Sequence, residues 1–236
     1  MMKNIAIVLA AGSGKRMQSD VKKQYMELDG KPVLYYCMNV FERSPLIDEM
    51  ILVVSEDDIS YCKKEIVEKF GFAKVSSVIV GGKERYDSVM NGLNEIEMCD
   101  CVLIHDGARP FVDEEMIERL VKSVKECKTA VSAMPSKDTV KIVDDKNMVI
   151  STPNRNTVWN IQTPQAFDFV LIKDAYERMS RRADSLALKG IKITDDAMVT
   201  ENFSSVRVKL IEGSYRNIKI TTPEDMMLAE MYLKMS

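Results

Sequence analysis

Residues Ala10, Ala11, Gly12, Ser13, Gly14, Arg16 and Lys23 follow directly behind the apolar run 5–9. A buried strand that ends in a glycine-rich, cation-bearing loop gathers backbone N–H groups and positive charge in one place, which is the chemistry of holding a polyphosphate. Gly12 and Gly14 remove the β-carbons that would keep a triphosphate away from the backbone. Two familiar loops do not fit. Lys15 is followed by Arg16 rather than Ser or Thr, and one residue separates Gly12 from Gly14, which argues against a P-loop. Met17 stands where the third glycine of a dinucleotide fingerprint falls, so a Rossmann oxidoreductase is the weaker reading. A glycine pair behind a strand also makes an ordinary tight turn, so the rest of the chain has to decide.

Four further groups add chemistry. His105-Asp106-Gly107-Ala108-Arg109-Pro110 closes another apolar run, at the sheet edge where open α/β folds bind ligands. Asp106 suits a magnesium ion or an attacking substrate, and Arg109 offers a planar fork for a phosphate; the bland alternative is an Asp106–Arg109 pair bracing a loop. His105, the sole histidine, rules out mechanisms that need two, and its place at a strand end favours a packed structural role over a general base. Gly81-Gly82-Lys83-Glu84-Arg85-Tyr86-Asp87-Ser88 also runs from a strand into a helix. Its backbone amides and the Ser88 hydroxyl form a candidate base pocket, with Arg85 read as a brace. The runs 159–167 and 218–225 complete the set.

Positioning such residues requires a sheet. Apolar runs at 5–9, 50–54, 75–80, 101–105 and 129–133 alternate with helical stretches, which predicts an α/β fold: a mostly parallel twisted sheet, helices on both faces, Rossmann-like. After Asp113, placed as an N-cap, Met116, Ile117, Leu120, Val121 and Val124 share one helical face. Val140, Ile142, Val149 and Ile150 flank Asp144-Asp145-Lys146-Asn147 and predict a β-hairpin that projects as an arm. Thr222-Pro223-Glu224-Asp225 is a helix start with a cap and a first-turn proline. With no repeat, linker or shift in composition, residues 1–236 read as one domain with an arm over roughly 138–158.

Composition narrows the partners. A net charge of −3 gives no global nucleic-acid footprint, so positive field belongs to a local cleft and small anionic substrates fit best. No apolar stretch is long enough for a bilayer and no signal-peptide pattern opens the chain, so membrane partners are not expected and a cytoplasmic location is. The cysteines, five in number and without a Cys-x-x-Cys pair, read as reduced, mostly buried thiols. The 17 methionines are scattered and read as core filling.

Taken together, the loop Leu-Ala-Ala-Gly-Ser-Gly-Lys-Arg-Met, Lys-Lys-Gln-Tyr, His-Asp-Gly-Ala-Arg-Pro and Ile-Gln-Thr-Pro-Gln-Ala-Phe resemble the nucleotidyltransferase superfamily over nearly the whole chain. The resemblance is most specific to the 2-C-methyl-D-erythritol 4-phosphate cytidylyltransferase family of the non-mevalonate isoprenoid pathway. It implies CTP along Ala10, Ala11, Gly12, Ser13, Gly14, Arg16 and Lys23, with cytosine against Gly81, Gly82, Lys83 and Ser88. Lys83 departs from the Asp or Asn more usual there. It implies the methylerythritol phosphate near Asp106, Arg109 and Thr163, with Thr139, Arg155 and Thr194 around the sugar phosphate. Lys219 would face the α-phosphate, Asp106 and Asp225 would hold Mg2+, and the arm would cross a two-fold axis in a homodimer with shared sites. On this reading the acceptor phosphate, already anionic, attacks the α-phosphorus without a side-chain base, and Arg16, Lys23, Lys219 and magnesium offset the charge. A ribitol-5-phosphate cytidylyltransferase is the alternative inside the class. A catalytically silent nucleotide-binding module is the alternative outside it, disfavoured because Arg16, Lys23, Asp106, Arg109 and Lys219 are all retained.

Overall fold

The computed structural model describes residues 3–12, 17, 21–182 and 192–235. Among them, strands β1 (Asn4–Leu9), β4 (Glu49–Val54), β5 (Val75–Val80), β6 (Cys101–Asp106), β7 (Thr129–Pro135), β10 (Trp159–Asp168) and β11 (Leu210–Glu212) form one sheet in the order β11-β7-β10-β6-β1-β4-β5. The continuous apolar runs predicted as strands are the parallel core of this sheet: β1 pairs in parallel with β4 and β6, and β4 with β5. β10 runs antiparallel to both of its neighbours, β6 and β7, and β2 (Glu27–Leu28) and β3 (Lys31–Pro32) pair antiparallel as a separate two-stranded sheet. No apolar run announces β10, because Asn160, Gln162, Thr163, Pro164 and Gln165 interrupt its pattern; of the polar residues among these, Gln162, Thr163 and Gln165 are buried.

Helices cover both faces. On one side α1 (Val33–Arg43), α4 (Glu114–Cys127) and the helical stretch α2 (Ile59–Tyr61), continued as a π-helix over Cys62–Glu68, pack on Ala6, Val8, Leu52 and Leu103. On the other, α3 (Arg85–Glu95), α5 (Phe169–Ser180) and α6 (Asp196–Phe203) pack on Ile5, Ile7, Val53 and Ile104. Alternate residues of β1 thus serve opposite cores, as the pleat dictates. The face read from the sequence of α4 is buried, and the Asp113 carboxylate accepts the Met116 N–H at 2.8 Å. The last helix, α7 (Pro223–Lys234), starts at a reciprocal Thr222–Asp225 capping box and closes a small third core with Leu28, Val33 and Ile220.

The predicted hairpin is present as β8 (Ile142–Val143) and β9 (Val149–Ser151), shorter than the apolar flanks suggested. Its turn is closed by Asn147 at φ 61°, a left-handed conformation that asparagine tolerates. The hairpin does not join the main sheet. Ile142, Met148, Val149 and Ile150 are each half or more exposed along it. Among the described residues no helix is long and apolar enough to cross a membrane. All five cysteines are free thiols, four of them buried.

Candidate active site

Parallel strands share a direction, so the loops leaving β1, β4, β5 and β6 emerge along one edge. Backbone bonds lock them together there: Ala10 N–H donates to Val53 O at 2.7 Å, Gly81 N–H to Val54 O at 2.7 Å, and Gly107 N–H to Leu9 O at 2.8 Å. Close approach explains the glycines. A β-carbon on Gly81 would lie 2.6 Å from the Ala11 β-carbon, and one on Gly107 2.7 Å from Leu34. The β1 loop and the β5 loop therefore touch directly, and a cavity of about 210 Å3 opens between them, lined by Ala10, Ala11, Gly12, Lys23, Gly82, Lys83 and Ser88. A second cavity of about 530 Å3, on the β10 side, is lined by Arg109, Thr163, Gln165, Thr194, Asp195 and Met198 among others. Arg85, Asp106 and Lys219 line both.

These three side chains form a charge cluster. Asp106 Oδ1 accepts from Arg85 Nε at 3.1 Å, and Oδ2 accepts from Lys219 Nζ at 2.6 Å. Arg85 uses the rest of its fork on Asp196, donating from Nη1 to Oδ1 at 2.9 Å and from Nη2 to Oδ2 at 2.8 Å. Asp196 is fully buried and also accepts from the Tyr176 hydroxyl. Burial alone would push the Asp106 carboxyl up, but Arg85, Lys219 and Arg109 outweigh it and hold it well below the usual carboxylate range. Burial likewise opposes the Arg85 charge, and Asp196 and Asp106 more than restore it. The Asp106–Arg109 brace weighed from the sequence does not form. Arg109 Nη1 instead donates to Asn217 O at 2.7 Å, while its buried Nε has no protein acceptor.

His105 is a structural residue. Its ring is fully buried, with Nε2 3.0 Å from the Arg109 carbonyl and Nδ1 3.2 Å from Thr163 Oγ1. A carbonyl only accepts, so Nε2 carries the proton and the Thr163 hydroxyl donates to Nδ1. Thr163 Oγ1 in turn accepts the Asp106 N–H at 3.0 Å. Burial pushes the imidazole down to about 4, so it stays neutral while it ties Asp106, Thr163 and Arg109 together.

Not every expectation survives. The glycine amides read as base contacts are committed within the protein: Gly81 N–H to Val54 O, and Gly82 N–H to Ser88 Oγ at 3.0 Å. Gly82, Lys83 and Ser88 still line the cavity, although the Ser88 hydroxyl also donates to Glu84 O at 3.3 Å. Asp225 also takes another role. Its Oδ2 accepts from Thr221 N, Thr221 Oγ1 and Thr222 N at 2.7–2.9 Å, so the residue paired with magnesium in the sequence reading caps α7 through this oxygen and lines neither cavity. Thr139 and Arg155 are exposed beside the hairpin and line neither cavity of their own chain, Arg155 donating to Lys137 O at 3.2 Å. Ser13, Gly14 and Arg16 lie outside the described residues.

Sequence reasoning missed Asp196, Tyr176 and Gln165. Gln165 Nε2 donates to Asp195 Oδ2 and its Oε1 accepts from Ala197 N, both at 2.9 Å, which latches the start of α6 to β10. The Gln-Thr-Pro-Gln run held that signal. Asp196 lay in an unremarkable helix start, Thr194-Asp195-Asp196, and only its distance of 111 residues from Arg85 hid the pairing.

A mostly parallel sheet with two cavities meeting at a lysine–aspartate–arginine cluster is the arrangement expected of a nucleotidyltransferase. Residues 4–235 match the model of the 2-C-methyl-D-erythritol 4-phosphate cytidylyltransferase family, and the chain belongs to that family. A curated relative of that name from Lachnoclostridium phytofermentans is 49% identical over 234 residues, 99% of this chain and 97% of its own length. Among solved structures, the 4-diphosphocytidyl-2C-methyl-D-erythritol synthase of Anaerococcus prevotii is 40% identical with a TM-score of 0.84, covering 99% of this chain and 96% of its own. The 2-C-methyl-D-erythritol 4-phosphate cytidylyltransferase of Francisella tularensis is 30% identical with a TM-score of 0.78, covering 97% and 99%.

Proposed function

We propose that the chain transfers the cytidylyl group of CTP to 2-C-methyl-D-erythritol 4-phosphate, releasing pyrophosphate and forming 4-diphosphocytidyl-2-C-methyl-D-erythritol, a step of non-mevalonate isoprenoid biosynthesis. The observation that carries this is the Asp106–Lys219–Arg85 cluster shared by two cavities, read with membership of the family. One anion lies on each side, and Lys219 stands where they meet.

The nucleotide occupies the smaller cavity. Cytosine presents an exocyclic amine, a donor, which suits the carbonyls of the β5 loop now that its glycine amides are committed. The triphosphate runs along Ala10, Ala11 and Gly12 toward Lys23, with Arg16 following in the sequence. The acceptor phosphate occupies the second cavity, where Arg109 Nε lacks an acceptor and Thr163 and Thr194 offer hydroxyls. An oxygen of that phosphate attacks the α-phosphorus, a new P–O bond forms, and the bond to pyrophosphate breaks. No side-chain base is required, because the attacking oxygen carries charge already. His105 is buried with both nitrogens engaged and takes no proton. Catalysis is electrostatic: the cations of the cluster, Arg85, Lys219 and Arg109, exceed Asp106 and Asp196 by one charge, and Lys23 adds another.

Magnesium would rest mainly on the triphosphate oxygens, as it does at many nucleotide sites: among the described residues no group of three or more His, Cys, Asp or Glu gathers, and both Asp106 oxygens accept from Arg85 and Lys219, so Asp106 would reach the ion only by releasing one of them. Bound there, it would neutralise charge on the triphosphate and on the departing pyrophosphate.

The arm makes the protein a homodimer on this reading. Its exposed apolar residues and the exposed placement of Thr139 and Arg155 support an arm that reaches a second copy and completes that copy's acceptor site. A cytoplasmic location agrees with free cysteines and with substrates that are small charged metabolites. Pyrophosphate release with CTP and magnesium tests the function. Release with 2-C-methyl-D-erythritol 4-phosphate, and not with ribitol 5-phosphate, UTP or ATP, is expected; release only with ribitol phosphate would reassign the substrate, and CTP binding without release would point to a silent module.

A further inference from the structure

The Lys-Lys-Gln-Tyr run contributes one residue, Lys23, to the proposed chemistry, and the structure gives its neighbours precise work. Gln24 is 2% exposed, and its Nε2 donates to Ala10 O at 2.6 Å and to Gly12 O at 3.1 Å. It thereby grips the carbonyl edge of the β1 loop, whose Ala10 N–H is already held by Val53. Lys22 and Tyr25 pull the other way. Lys22 Nζ donates to Ser55 Oγ and to Asp58 Oδ2, each at 2.6 Å, and the Tyr25 hydroxyl lies 3.1 Å from the same Asp58 oxygen. The Tyr25 ring meets Tyr61 edge-on, with centroids 5.1 Å apart. The short 3-10 turn Lys23–Tyr25 is thus fixed on its inner side to the phosphate loop and on its outer side to the segment after β4.

We propose that Gln24 is a positioning residue for the nucleotide: it holds Lys23 and the Ala10–Gly12 backbone at one fixed separation, with Lys22, Tyr25 and Asp58 as its outer anchor. The inference rests on the CTP reading of the smaller cavity. Lys23 and Gly12 approach the triphosphate from different parts of the chain, and Gln24 is a direct side-chain tie between those parts. A donor is essential, since two carbonyls converge on one amide nitrogen; an aliphatic side chain of the same length would leave the buried Ala10 carbonyl without it and release the Gly12 carbonyl. The acceptor cavity contains none of these residues, so loss of the tie should fall on the nucleotide alone.

The test uses the full-length protein with Gln24→Met, which keeps length and removes the donor, and Asp58→Asn, which weakens the outer anchor. CTP affinity is measured by calorimetry in magnesium chloride, and KM and kcat are measured for both substrates. Gln24→Met is expected to weaken CTP binding and raise its KM by about tenfold, the order for one unmet buried polar pairing, while KM for the erythritol phosphate holds. Asp58→Asn should shift CTP in the same direction by a smaller factor, and it decides alone if Gln24→Met does not fold. Unchanged CTP constants in folded variants would overturn the proposal, as would an equal rise in both KM values together with a lower melting temperature. A parent protein that binds no CTP would overturn the nucleotide reading itself, a failure visible before any variant is compared.

Discussion

The cluster around Asp106 and the arm around residues 142–151 carry residues of the same proposed site under opposite physical conditions. In the cluster, Asp106, Asp196 and Tyr176 are buried and Arg85 is partly so, and all four are linked by hydrogen bonds within a single chain. On the arm, Ile142, Met148 and Ile150 stand in solvent, and beside it the exposed Arg155 donates to the Lys137 carbonyl. The cluster finds its partners within one chain, whereas on the proposed reading the arm meets a second copy. Substitutions in the cluster should therefore damage folding and chemistry together, and those on the arm should damage chemistry alone.

The largest effect tests the buried side of this contrast. Asp196→Ala strands the Arg85 guanidinium and the Tyr176 hydroxyl, and should cost about 3–5 kcal/mol of stability, as breaking a buried pair does; urea unfolding would read it, and a loss below 1 kcal/mol would show that the cluster is not a structural unit. Lys219→Ala or Lys23→Ala should lower turnover by on the order of 10²–10³, as for one lost transition-state donor, with steady-state rates as the measure. Unchanged turnover in both would remove these lysines from the mechanism.

The pH dependence follows from His105. Its folded value, about 4, lies below that of a free histidine. Below about pH 6.5 the unfolded chain takes up a proton that the folded chain refuses, so the unfolded state gains and stability falls as pH drops toward 4. The loss from this residue is about 3 kcal/mol across that window, and chemical denaturation at several pH values should show it shrinking in His105→Gln. Asp106, held low, adds a loss in the same direction at more acid pH, as it is protonated on unfolding but resists protonation in the fold. The smallest effect belongs to the arm: Arg155→Ala should reduce activity by about tenfold, the worth of one hydrogen bond to a charged group, and leave stability within about 0.5 kcal/mol of the parent.

What could be read from the sequence follows the same divide. The parallel core strands, the α4 face, the two caps and the Asn147 turn were legible because each depends on neighbours a few residues away. His105 was rightly read as structural and Arg85 as a brace. The capping role of Asp225 was hidden because a capping aspartate and a metal-binding aspartate look identical until the hydrogen bonds of the last helix are seen. The β5-loop amides were misassigned for a similar reason, since Val54 and Ser88 claim them only after folding. Asp196 and Gln165 were missed because their partners lie far along the chain and no local period marks them.

The central claim is that each site joins the cluster of one chain to the arm of another, and mixing two damaged chains tests it most directly. Lys219→Ala and Arg155→Ala are each purified, mixed, unfolded and refolded together so that subunits exchange, and pyrophosphate release with CTP and the erythritol phosphate is assayed. The account predicts activity in the mixture above the sum of the two variants alone, because one site in each mixed dimer draws an intact cluster from one chain and an intact arm from the other. A mixture no more active than its parts, with mixed dimers present, would mean that Arg155 serves the cluster of its own chain and would contradict the account.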